Sequence, residues 1–143
     1  MSSGTSTARL DPESPERFLA LRRELGVSSF GLNQIILQPG QRGRIHRHER
    51  QEEVYLVLEG TLTLIVEGEE LELAAGELVR VAPELRRQLV NRSRHRLVLL
   101  ALGGDGEHQG RDGEAFARWE DATGGPPQEV PLPADLEPGE LRG

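Results

Sequence analysis

The chain contains no cysteine. That absence excludes disulfide scaffolds, thiolate zinc sites, iron–sulfur ligation and Cys nucleophiles, so any metal must be held by His, carboxylate, carbonyl or water. Lysine is missing too, all 17 basic residues being arginine, which removes Schiff-base chemistry and phosphate cradles built on a P-loop lysine. No apolar run approaches the ~20 residues of a membrane helix. The Ser/Thr-rich start lacks the apolar stretch of a secretion signal, so a soluble cytoplasmic protein is expected. A formal net charge of −7 argues against a nucleic-acid binder, whose footprint is a basic face. The arginines nevertheless cluster, at Arg42, Arg44, Arg47 and Arg50 and again from Arg80 to Arg96. Charged strand edges that block edge-to-edge pairing explain such clusters; local attraction of an anion is the other reading.

What is present is one domain's worth of material: 143 residues, 36% of them hydrophobic, enough for a single core. Residues 1–28 read as a loose arm and a helix starting at Ser14, with Pro15 at its first position, Phe18, Leu21 and Leu25 on one face, and Gly26 closing it. Residues 29–103 change to short Val/Ile/Leu-rich runs broken by Gly or Pro, an all-β rhythm. Eight strands are expected, at about 29–38, 43–47, 52–59, 61–67, 70–74, 77–82, 86–91 and 95–102, closing into a barrel or sandwich. Glu67-Gly68-Glu69 is the expected tip of a hairpin. In residues 104–143, Asp112 reads as the cap of a short helix carrying Phe116 and Trp119 on one side. The segment from 124 onward, with five of the nine prolines, reads as extended or disordered and dispensable.

The chemistry concentrates between Gly40 and Gly60. Gly40 is followed by five residues, then His46, one residue, His48, four residues, Glu53, six residues and Gly60. Alternate residues on a strand share a face, so the two imidazoles stand side by side while Glu53, opening the next strand, returns a carboxylate toward them. Two imidazoles and one carboxylate with open positions suit Fe(II) and also accept Mn, Ni, Co or Zn. Glu52 would put Glu59 at the closing glycine position, so Glu53 is the expected ligand and Glu52 faces solvent. Tyr55 shares the Glu53 face, either placing its phenol in the cavity or packing in the barrel with its hydroxyl satisfied. His95 is expected to be solvated, and His108 to lie in a segment able to fold over the barrel mouth.

At these residues the sequence resembles the cupin superfamily, whose first motif is Gly, five residues, His-x-His, three or four residues, Glu, six residues, Gly. The second motif is met only at its ends, Gly76 and Asn91. Ala82 and Glu84 replace its Pro and Gly, and Arg87 stands at its metal-binding His. The resemblance implies a double-stranded β-helix, or jelly-roll, barrel, commonly a homodimer, with His46, His48 and Glu53 as ligands of a divalent metal such as Fe, Mn, Ni or Zn. It leaves activity open, from metal-dependent dioxygenase or isomerase to non-catalytic sensor.

Arg87 decides between readings. By alternation it shares the inward face of Leu89, and a guanidinium cannot ligate metal. It either pairs with Glu53 and leaves a metal-poor pocket, or stands behind a metal and clamps an anionic small molecule. A one-residue slip would bring Gln88 inward instead.

Overall fold

Alternation of apolar and polar residues drives the chain into short strands, ten of them among the described residues. The structure, a computed structural model, describes residues 4–104 and 112–143. The strands are β1 (Phe18–Leu19), β2 (Gly31–Leu37), β3 (Ile45–His48), β4 (Glu52–Glu59), β5 (Thr61–Val66), β6 (Glu69–Ala74), β7 (Leu78–Val81), β8 (Arg87–Val90), β9 (Leu97–Gly104) and β10 (Gly113–Phe116); the helices among the described residues are α1 (Leu21–Leu25) and two 3-10 turns, Pro127–Glu129 and Pro138–Glu140. They form two five-stranded antiparallel sheets, ordered β1-β2-β9-β4-β7 and β10-β3-β8-β5-β6. This is the all-β jelly roll that the strand rhythm implies. All eight expected strands are present, each within a few residues of its expected bounds.

The core lies between the sheets at the β5–β6 end, where Leu62, Leu64, Val57, Leu97 and Leu99 are fully buried. The β5–β6 hairpin turns on Glu67 (φ 49°) and Gly68 (φ 83°). Positive φ at both central positions is the twist-matched two-residue turn expected from the sequence. Gly60 joins β4 to β5 with φ +85°, and a Cβ there would lie 2.4 Å from the Arg96 carbonyl oxygen. Only glycine fits that crossing. Asn91, at the end of the degraded second motif, is buried and ties loops together: its side-chain amide donates to the carbonyls of Leu37 and His95.

Both terminal segments depart from expectation, for one reason. Residues 14–20 are not helical: Ser14 Oγ accepts the Glu16 N–H in a local turn, Phe18 and Leu19 pair with Ile35 and Gln34, and the helix begins only at Leu21. Asp112 to Phe116 likewise forms no helix but pairs along β3, Phe116 opposite Ile45 and Gly113 opposite His48. Without these additions β2 and β3 would be open edges, whose unpaired N–H and C=O groups outweigh the weak helical preference of such short segments. Asp112 is still a capping carboxylate, but it accepts the N–H groups of Arg50 and Gln51 in the β3–β4 turn.

The described residues of both terminal segments are tied to the barrel by hydrogen bonds. Asp11 exchanges two backbone hydrogen bonds with the buried Gln34 amide. The proline-rich tail docks through Arg44 Nε to the Val130 carbonyl, Arg42 to the Ala134 carbonyl, and backbone bonds from Leu136 to Gly40 and from Arg142 to Arg92. His108 lies outside the described residues. Among those described, no helix is long and apolar enough to cross a membrane.

Candidate metal centre

Strand alternation on β3 turns His46 and His48 toward the space between the sheets, Arg44 just before the strand also lines the cavity, and β4 returns Glu53 and Tyr55 from the opposite wall. The His46 and His48 rings stand edge to face, centroids 5.2 Å apart. Glu53 Oε1 lies 3.5 Å from His46 Nε2 and 3.1 Å from His48 Nε2. One ligand atom from each of the three residues falls within 4.8 Å of the others.

The surroundings set the tautomers. His46 Nδ1 is 3.2 Å from the Arg44 carbonyl; a proton held there leaves the Nε2 lone pair facing Glu53. His48 Nδ1 stands 3.8 Å from the Asp112 carboxylate, and both of its ring nitrogens are buried without a hydrogen bond. Close approach to Glu53 with no hydrogen-bond geometry is what converging ligand atoms give. Two ligands on neighbouring positions of an ion at ~2.1 Å are themselves about 3 Å apart, close to the observed separations. The donor set fits a divalent cation.

Glu53 is the hub. Tyr55 OH donates to its Oε1 at 2.7 Å, and Arg87 Nη2 stands 3.3 Å from the same oxygen. Burial alone would raise the Glu53 pKa, but the neighbouring His46 and His48 side chains outweigh it and hold the carboxyl well below the usual carboxylate range. Burial, followed by repulsion from Glu53, pushes the Tyr55 phenol well above its ordinary value. Tyr55 is therefore a neutral donor that orients the carboxylate, its ring buried in the core and its edge in the cavity wall.

Arg87 points inward and is fully buried, paired across β8 and β3 with His46. Its Nη1 donates to the carbonyls of Pro83 (3.0 Å) and Leu85 (2.7 Å). It stands behind Glu53 and is not among the residues lining the cavity. Gln88 points away, donating to the Gly43 carbonyl, so the register does not slip. Glu52 is exposed and pairs with Arg80, and His95 is exposed.

The cavity measures about 1280 Å³, with Ile35, Leu37, Leu89 and Ala101 as its apolar wall. Sequence reasoning missed Asp112 as the neighbour of His48. Its only signal was an acid suited to capping, and the partner lies more than sixty residues away.

The family model of the cupin domain, Cupin_2, matches residues 33–103. Among solved structures, a cupin protein from Bacteroides fragilis is similar at 22% identity and TM-score 0.64, over 73% of this chain and 86% of that one. A sugar phosphate isomerase from a cupin superfamily of Silicibacter pomeroyi is similar at 26% identity and TM-score 0.63, over 82% and 80%. A Cupin 2 conserved barrel domain protein from Salinispora arenicola follows at 21% identity and TM-score 0.62, over 72% and 91%. Comparison with curated protein sequences finds no match. The chain belongs to the cupin superfamily.

Proposed function

We propose that this cupin holds a divalent cation on His46, His48 and Glu53 and uses it to bind, and to act on, an anionic small molecule in the cavity. The observation that carries this reading is the buried, hydrogen-bond-free Nε2 of His48 beside Glu53, at the wall of an open cavity. Fe, Mn, Ni and Zn all suit two imidazoles and a carboxylate. Once bound, such an ion supplies Lewis-acid polarisation of a ligand oxygen. The chain's own groups do the rest: Tyr55 orients Glu53, Arg87 offsets its negative charge from behind, and the Arg44 carbonyl keeps the His46 proton on Nδ1. Oxygenation and isomerisation are the reaction types in keeping with this site. The isomerase naming of one similar structure favours the second.

A second reading has its own support. Arg87 is close enough to Glu53 to compete for its charge, which would make the protein a metal-poor binding or sensor module. Metal analysis of protein purified without a His-tag decides between them. About one equivalent of metal, lost in His46→Ala, supports the first reading; a metal-free parent that stays so after incubation with each ion supports the second. A homodimer accords with either, since the edge strands β6 and β7 each carry an exposed leucine, Leu71 and Leu78. Light scattering at the 15.8 kDa mass of one chain would contradict the dimer.

A further inference from the structure

The proline-rich segment after β10 runs along the cavity between two firm anchors. Gly125 exchanges two backbone hydrogen bonds with Ala115 of β10, at 2.8 and 2.9 Å, and Gly124 is pressed so close to that strand that a Cβ would lie 2.2 Å from the Ala115 carbonyl oxygen. At the other end the Leu136 N–H donates to the Gly40 carbonyl at 2.7 Å. Between these anchors residues 126–135 are held differently. None is buried, and among the described residues none makes a backbone hydrogen bond to the barrel. Three arginine side chains reach them instead: Arg44 through the Val130 carbonyl, Arg42 through the Ala134 carbonyl, and Arg17 through the Asp135 carboxylate at 3.8 Å. A segment without buried contacts, held by side chains alone, opens far more easily than the whole domain unfolds. Four of its residues are prolines, which stiffen it so that it moves as a unit.

What the segment covers is specific. Pro127, Gln128 and Leu132 line the same cavity as His46, His48 and Glu53. Gly113 stands opposite His48 in the β10–β3 pairing, and a Cβ there would lie 3.3 Å from Pro127 Cγ and 3.7 Å from His48 Cε1. Gly113 is not in the positive-φ region, so its missing side chain serves the close approach of those two rings and not a turn. Arg44 ties the segment to the other imidazole: its guanidinium holds Val130 while its carbonyl lies 3.2 Å from His46 Nδ1.

We propose that residues 126–135 are a strap closed over the His46, His48 and Glu53 group and latched by Arg42 and Arg44, and that a small molecule reaches those side chains when the latch releases and the strap lifts between Gly125 and Leu136. The latch bonds end on backbone carbonyls, so each is set by the arginine and not by the strap's own side chains. The strap goes beyond the metal reading and is tested on metal-free protein. Failure of the cation to bind leaves that test unchanged, so the two failures are distinguishable.

Diethyl pyrocarbonate, which acylates unprotonated imidazole nitrogens, probes access directly. Modification of His46, His48 and the exposed His95 is followed site by site by mass spectrometry in chelator-treated protein. Arg42 is not among the residues lining the cavity, so Arg42→Gln loosens the latch without widening the cavity. It should raise the His46 and His48 rates by about threefold to tenfold, as for loss of a hydrogen bond, and leave His95 at the parent rate. The chain has no cysteine of its own, and the Gly113 to Pro127 approach is within disulfide reach. Gly113→Cys/Pro127→Cys should therefore oxidise to a locked strap that protects His46 and His48 by about tenfold relative to the same protein after reduction. Equal rates in the parent and Arg42→Gln, equal rates in the oxidised and reduced pair, or failure of the pair to oxidise would overturn the strap. If Arg42→Gln also exposes His95 to faster modification, its fold is loosened as a whole, and the cysteine pair, compared with itself, decides alone.

Discussion

Arg87 stands directly across the β3–β8 pairing from His46, with its Nη2 3.3 Å from Glu53 Oε1. A guanidinium thus occupies the position from which a third imidazole would reach a metal held by His46, His48 and Glu53, and it faces the only carboxylate of that group. Replacement by histidine adds a ligand and removes a positive charge, two changes of the same sign. Arg87→His should bind Mn or Ni about tenfold more tightly than the parent, roughly 1.4 kcal/mol. The variant also gives up the bonds to the Pro83 and Leu85 carbonyls, so it should be less stable by about 1 to 3 kcal/mol. Titration calorimetry and denaturant melts measure the two effects separately, and unchanged or weaker metal binding would remove Arg87 from the site.

Glu53 makes stability depend on acid. Its folded pKa is held well below the ordinary value of 4.5, so its contribution is fully present above that value. The contribution is lost as pH falls from there through the folded pKa. Urea melts of metal-free protein should show stability falling below about pH 4.5. In Glu53→Gln the same acid limb should be shallower. Identical limbs in parent and variant would contradict the depressed pKa.

Asp112 joins the β3–β4 turn to the proposed metal centre, accepting the Arg50 and Gln51 N–H groups while facing His48 Nδ1. Asp112→Ala leaves two donors without their charged acceptor and should cost about 1 to 3 kcal/mol. It should also weaken metal binding, because the negative charge facing His48 Nδ1 is lost. Asp112→Asn, which can still accept one of those bonds, should fall between the two in stability.

The barrel was legible because its signals are local. Period-two alternation, the Glu67-Gly68 turn and the spacing from Gly40 to Gly60 each specify a short element, and His46, His48 and Glu53 come together once those elements form. The termini were illegible because their structure is set by what the barrel lacks. Phe116 and Trp119 are spaced as on a helix, yet the open edge of β3 needs backbone partners that no local pattern records. The same holds for Phe18 and Leu19 at β2. Proline content misread the tail, since carbonyls of residues without regular structure still accept bonds from Arg42 and Arg44. Arg87 was placed inward by alternation, but its enclosure behind Glu53, away from the cavity wall, follows from the Pro83 and Leu85 carbonyls.

That correction changes the expected cost of truncation. Deleting residues 126–143 removes the acceptors of Arg42 and Arg44 and the bonds to Gly40 and Arg92, so it should destabilise by more than ~1 kcal/mol. Phe116 is 2% exposed, with the Arg86 guanidinium stacked 3.6 Å from its ring centre. Phe116→Ala should cost about 3 to 5 kcal/mol, and Trp119→Ala, half-buried, less than that. Thermal melts in which the truncation is silent, or Trp119→Ala the more damaging of the two, would contradict the docked tail and the β10 pairing.

Whether an ion binds between His46, His48 and Glu53 is read from crystals of chelator-treated protein soaked in Mn or Ni, with diffraction recorded at the metal absorption edge. One anomalous peak is expected, bounded by His46 Nε2, His48 Nε2 and Glu53, and absent from crystals of His46→Ala. A parent map with no peak there, and Glu53 still against Arg87, would rule out the metal-binding function.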